Sequence, residues 1–164
     1  MFSFGFAIAI IGAGLAAGLS ALGASIGVGL AGEMAAGVLA EDPDKIGSML
    51  VLQALPGTQA IYGLVDAILV LVKLEVFGGA PLINLTIPQG LSIFGACLPV
   101  MLGEAVSAVW QGKASAASMG TVAKKPETFG KAIILPAMVE TFALLSLIGS
   151  IVILMVGINL KAGG

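Results

Sequence analysis

The chain has 164 residues, 59% hydrophobic and only 10% charged, with nine acidic side chains against seven lysines, a net charge of −2 and a mean hydropathy of +1.13. A soluble domain of this length leaves too much surface in water to hide that apolar content, so the composition excludes a soluble globule and places the chain in a bilayer. With no Arg or His and no basic patch, nucleic acid is excluded as a partner, while the single Cys97 excludes an intrachain disulfide and reads as a small packing residue.

Four apolar segments follow in chain order, predicting an all-α membrane protein: about 4–39, 46–72, 91–122 and 130–160. Each exceeds the ~20 residues that cross a bilayer, so some must tilt or project beyond it. The first has no basic region before it and runs too long for a cleaved signal, so it reads as mature protein whose first helix is its own insertion signal. In it Ala13, Ala17, Ser20, Ala24, Gly27 and Ala31 form one face of small residues, and Gly14, Gly18, Ala21, Ser25 and Gly32 an adjacent one. Two such faces suit a helix pressed by neighbours on both sides, as in a crowded ring of many copies.

The polar turn at 41–45 closes a first helical hairpin (1–77), and the turn at 124–127 closes a second (91–164). A longer connection, 78–90, carries Pro81 and Pro88 between them. The chain repeats itself at one constant offset that needs no gap: Ile10, Gly12, Ala13, Leu15 and Leu19 match Ile93, Gly95, Ala96, Leu98 and Leu102, and Pro43 and Gly47 match Pro126 and Gly130. Tandem hairpins of the same orientation follow, related by an axis along the membrane normal. Lys45, Lys113, Lys124, Lys125 and Lys131 cluster near the two turns, against Lys73 and Lys161 at the other side. The positive-inside rule then predicts cytoplasmic turns and outward termini in a multi-pass cell-membrane protein.

Glu140 lies in the middle of the fourth segment, where a charge costs at least ~3 kcal/mol, and such carboxylates mark ion paths or proton relays. Counted along the chain from the turn prolines, Glu140 follows Pro126 by 14, Gln59 follows Pro43 by 16, and Gln111 precedes Pro126 by 15. With a helical rise of about 1.5 Å per residue, these three share a depth to within one turn. Thr58 adjoins Gln59, Tyr62 follows at i+3, and Pro56 removes a backbone donor and frees a carbonyl. One carboxylate, two carboxamides, a hydroxyl and a carbonyl make an all-oxygen set for a hard cation, and a single charge favours monovalent Na⁺. Interhelical hydrogen bonding without an ion is the alternative that spacing alone leaves open. At the repeat offset Glu140 corresponds to Gly57, so the duplicated unit carries one charge and one ion site.

The stretches Leu55-Pro56-Gly57-Thr58-Gln59, Ile61-Tyr62-Gly63, Gln111-Gly112-Lys113, Lys124-Lys125-Pro126-Glu127 and Met138-Val139-Glu140-Thr141 resemble the membrane-ring proteolipid (K or c) of V-type rotary ATPases. The resemblance spans essentially the whole chain and is closest to the bacterial sodium-pumping form. It implies Na⁺ held by side chains matching Thr58, Gln59, Gln111 and Glu140 and by the carbonyl matching Leu55, with Tyr62 hydrogen-bonded to the carboxylate to lock it. It further implies a ring of identical subunits with the first and third helices inside and the second and fourth outside. ATP hydrolysis in a separate soluble head turns that ring, a stator subunit presents an arginine to Glu140 between two half-channels, and a central stalk seats on the turns at Pro43 and Pro126. The chain itself has no Gly-Lys-Ser/Thr phosphate-binding signature, so it is not expected to hydrolyse ATP. A proton-carrying ring of the same family is the nearest alternative. An independent channel or secondary transporter is a more distant one, since those usually carry inverted repeats or broken helices.

Asp66 and Glu104 depart from that resemblance. Each lies seven residues from a glutamine, Asp66 after Gln59 and Glu104 before Gln111, which puts both about two turns outward of the ion site. Two readings stand: the pair approach each other and share a proton or line an outward path, or each is separately solvated, Asp66 by snorkelling and Glu104 in a ring lumen. Glu33 is expected to be hydrated or to meet Lys113, and Trp110 to pack or sit at the interface.

Overall fold

The computed structural model describes residues 3–79 and 84–160, and these form four helical spans with no strand among them. The first span is a single helix, α1 (Phe4–Glu41). The second is α2 (Ile46–Ala54), a 3₁₀ turn (Leu55–Gly57) and α3 (Thr58–Lys73). The third is α4 (Ile87–Lys124). The fourth is α5 (Phe129–Ala132), α6 (Ile134–Val152) and a π turn (Ile153–Gly157). All four are long and apolar enough to cross a membrane. Pro81 and Lys161 lie outside the described residues.

The internal repeat is written into the helix ends. α1 and α4 each run 38 residues and begin and end at matching positions. Ser3 caps α1 by accepting from the Phe6 N–H, and its counterpart Thr86 caps α4 by accepting from the Gln89 N–H. The Gln89 side chain in turn accepts from the Thr86 N–H, completing a capping box that starts α4 ahead of the apolar run. Both helices end before a proline-led 3₁₀ turn, Pro43–Lys45 and Pro126–Thr128, because the proline cannot continue the helix.

Lys45 joins the turns: its ammonium pairs with Asp42 at 3.0 Å and donates to the Ala123 carbonyl at 2.7 Å, at the end of α4. The hydrogen bond from Lys45 holds the Asp42 carboxyl below its usual range against an opposing cost of desolvation, with lesser help from the Lys45 charge and the Asp44 N–H.

The second and fourth spans are interrupted, where the apolar pattern predicts continuous helices. Pro56 lies in the 3₁₀ turn of the second span. In the fourth, Pro136 has no N–H to give the Ala132 carbonyl, the helix breaks at Ile133, and the buried Ser118 hydroxyl donates to that carbonyl instead at 2.9 Å.

α1 and α4 make the most extensive interhelical contact, flanked by α3 against α1 and α6 against α4. Their backbones nearly touch: a Cβ on Gly112 would collide with the Gly27 carbonyl oxygen, and one on Gly23 with the backbone of Ala105. Of the two small-residue faces of α1, one is internal, with Ala13, Ser20, Ala24, Gly27 and Ala31 buried. The other, Gly14, Gly18, Ala21 and Ser25, lies toward the outside, and a Cβ on Gly14 or Gly18 would meet nothing within 4 Å. Two apolar clusters fill the bundle, one around Phe6, Val70, Ile93 and Leu154, the other near the turns around Met49, Leu52, Met119 and Val122. The polar site lies between them.

Candidate functional site

The 3₁₀ turn at Leu55–Gly57 sets up the first half of the site. It presents the Leu55 carbonyl to the Thr58 hydroxyl, which lies 2.9 Å away, and starts α3 with Thr58, Gln59 and Tyr62 turned toward the third and fourth spans. Pro56, buried on α1, packs where Gly27 leaves room: a Cβ on Gly27 would come within 2.9 Å of its ring. The second half comes from α4 and α6, which supply Gln111 and Glu140.

Five side chains from three spans converge. The Tyr62 hydroxyl donates to Glu140 Oε1 at 2.7 Å, and the Thr58 hydroxyl lies 2.9 Å from the same oxygen. Gln111 donates its amide to Glu140 Oε2 at 3.4 Å, and Gln59 donates to the Gln111 carbonyl oxygen. Gln59 and Gln111 are fully buried, while Glu140 and Tyr62 are partly exposed at the flank of the bundle. Acceptors outnumber hydrogens around Thr58. Its one hydroxyl hydrogen faces the Leu55 carbonyl, Glu140 Oε1 and, at 3.3 Å, Gln59 Oε1. Besides the hydrogens that Tyr62 gives Glu140 Oε1 and the Thr58 N–H gives the Leu55 carbonyl, these oxygens have one hydroxyl hydrogen to share, an arrangement suited to a small hard cation.

Asp66 and Glu104 are not solvated: both are 0% exposed, so the snorkelling and lumen placements are corrected. Nor do they bond each other. The Ser150 hydroxyl contacts Asp66 Oδ1 at 2.8 Å and the Ser146 hydroxyl contacts Glu104 Oε1 at 2.8 Å. Both serines come from α6, one turn apart and therefore on one face. The apolar pattern does not single them out, although Ser146 and Ser150 are polar breaks on the helix that carries Glu140. Lys113 lies over the Trp110 ring, 4.3 Å from its centre, rather than against Glu33, which is exposed. Cys97 is buried beside Asp66.

The family model for the C subunit of ATP synthase matches twice, over residues 11–70 and 94–153, and the two matches stand at the same offset as the internal repeat. Together they cover well over half of the chain. The chain belongs to this family. It is 39% identical over 151 residues to the V-type sodium ATPase subunit K of Enterococcus hirae, covering 92% of each chain. It is 38% identical over 144 residues to the A-type ATP synthase subunit K of Methanocaldococcus jannaschii, covering 88% of this chain but 60% of that longer protein. Membership agrees with the four apolar spans in marking a membrane protein of the rotor-ring type.

Proposed function

We propose that the chain is the ion-carrying rotor subunit of a V-type rotary ATPase, binding one Na⁺ per protomer at Glu140. The reading rests above all on the convergence of the Glu140 carboxylate with the side chains of Thr58, Gln59, Gln111 and Tyr62. The likeness to a V-type sodium ATPase subunit supports the choice of ion. In this reading Na⁺ is cargo, held by the Leu55 carbonyl and the oxygens of Thr58, Gln59, Gln111 and Glu140. Tyr62 holds the carboxylate turned inward by its hydrogen bond. The bound cation neutralises Glu140, so the site can cross a lipid-facing position at tolerable cost on a helix whose neighbours Met138, Phe142 and Leu145 are exposed.

The outer second face of α1 suits a neighbouring copy, and a ring with α1 and α4 innermost follows. ATP is hydrolysed elsewhere, in a soluble head that turns the ring through a stalk seated on the turns at Pro43 and Pro126. Those turns face the cytoplasm and the termini face outward. A stator arginine draws Glu140 from its ligands and releases the ion between two half-channels. The test is carbodiimide labelling of Glu140 in the detergent-solubilised assembly at neutral pH, with and without Na⁺. Protection by Na⁺ is expected; labelling indifferent to Na⁺ sinks the sodium reading in favour of a proton ring.

A further inference from the structure

Asp66 and Glu104 hydrogen-bond to α6 serines rather than to the side chains of the Glu140 site, and each is fully buried in the bundle with one oxygen, Asp66 Oδ2 and Glu104 Oε2, that has no hydrogen-bond partner. Among the described residues no cation faces them. α1 presents no titratable group at this depth; α3 presents Tyr62 and Asp66, α4 presents Cys97 and Glu104, and α6 presents Glu140, while Lys73 stands two turns further out on α3. A pair of bare carboxylates in such surroundings costs several kcal/mol each on general grounds.

The hydroxyls facing the two carboxyls accommodate such a proton. The Ser150 hydroxyl lies within hydrogen-bond reach of both Asp66 Oδ1 and the Ala96 carbonyl, and the Ser146 hydroxyl lies 2.8 Å from both Glu104 Oε1 and the Ala143 carbonyl. Each serine has one hydrogen, and each backbone carbonyl can only accept. With an ionised carboxyl the serine hydrogen goes to the carboxylate, and the Ala96 and Ala143 carbonyls, inside α4 and α6, keep only their helical N–H partners. If each carboxyl carries a proton, it donates to the serine oxygen and the serine donates to the carbonyl, so each of these four serine contacts is a hydrogen bond with its own hydrogen.

We propose that Asp66 and Glu104 are two proton-binding sites, distinct from the Glu140 site, whose acid hydrogens latch the fourth span to the second and third through Ser150 and Ser146. Binding is simple protonation: carboxylate plus a hydrogen ion gives the neutral acid, and release returns the ion to water. α6 is seated in the bundle at few points, its buried residues being Pro136, Ala143 and Ser150, so the latch holds the helix that carries Glu140. The repeat shows how the position arose. Ser20 on α1 packs against Gly63 on α3, and at the matching place Gly103 on α4 packs against Ser146 on α6. Glycine and serine have exchanged sides, which brings the second hydroxyl within reach of Glu104.

The test is infrared spectroscopy of the intact assembly in lipid at neutral pH, in the wild type and in Glu140→Gln, so that the outcome does not depend on what Glu140 binds. Two carboxylic-acid C=O bands are expected in both proteins, insensitive to Na⁺. Asp66→Asn removes one and Glu104→Gln the other, and the amides keep the assembly because their N–H groups donate to the serines. Should those variants fail to assemble, Ser150→Ala and Ser146→Ala must each shift one band and leave the other in place. Absence of acid bands in both proteins, or two Na⁺ bound per protomer with the bands replaced by carboxylate signals, overturns the proposal.

Discussion

The two halves of this chain share one backbone plan but contribute different groups to the candidate site. The first supplies neutral groups, the Leu55 carbonyl and the side chains of Thr58, Gln59 and Tyr62; the second supplies Gln111 and the carboxylate of Glu140. Their matching positions show how the asymmetry is built. Thr58 and Thr141 occupy equivalent places and each contacts the carbonyl three residues before it, yet Thr58 also reaches Glu140 while Thr141 is exposed. Glu140 corresponds to Gly57, where a Cβ would meet only a Val28 methyl, at 3.6 Å. Duplication thus gives two hairpins of one plan whose second helices are interrupted at different places, and only the second carries a carboxylate at this position.

Moving the charge tests this most severely. Glu140→Gln is expected to abolish Na⁺ uptake into vesicles while the ring still assembles, because shape is kept and charge is lost. Adding Gly57→Glu to Glu140→Gly should not rescue it, since the ligands lie at the other site; restored uptake would make the halves interchangeable.

The glycines give the next effect. Gly103→Ala drives a Cβ into the Ser146 side chain and should destabilise the protomer by about 1–3 kcal/mol through overpacking. Gly57→Ala, with room around it, should be neutral or slightly stabilising, since alanine favours helix. Thermal unfolding in detergent compares the two, and equal effects would break the distinction.

Smaller again is Tyr62→Phe, which removes one hydrogen bond to Glu140 and should weaken Na⁺ protection by about 1 kcal/mol, roughly fivefold. Thr141→Val, at the exposed equivalent of Thr58, should leave it unchanged.

The smallest effect lies at the turns. Lys45 lowers the Asp42 carboxyl below its ordinary value of 3.8, so the pair's contribution to stability is present above that value. It is lost as pH falls through the lowered one. Asp42→Asn should remove that acid-side slope from the melting curve without changing stability near neutrality more than other exposed turn substitutions do.

Hydropathy, the repeat and depth counted from the turn prolines suffice to predict four spans, their pairing and the level shared by Gln59, Gln111 and Glu140. These quantities are local: rise per residue is constant, so distance along a helix can be read from the chain. Depth also places Asp66 and Glu104 two turns farther from the proline turns but leaves their surroundings open, because it says nothing about which side of a helix meets which neighbour.

That lateral information comes only from packing. Packing buries Asp66 and Glu104 in the bundle, each against a serine of α6. It gives the Ala132 carbonyl, orphaned by Pro136, the hydroxyl of Ser118 from another span. It also decides which small-residue face of α1 is internal, through the near contact of Gly27 and Gly112. The sequence by itself determined how many apolar spans there are and the level that Gln59, Gln111 and Glu140 share along them. The tertiary structure decided which groups touch, because contact depends on the rotation and close approach of whole helices, which the chain specifies only collectively.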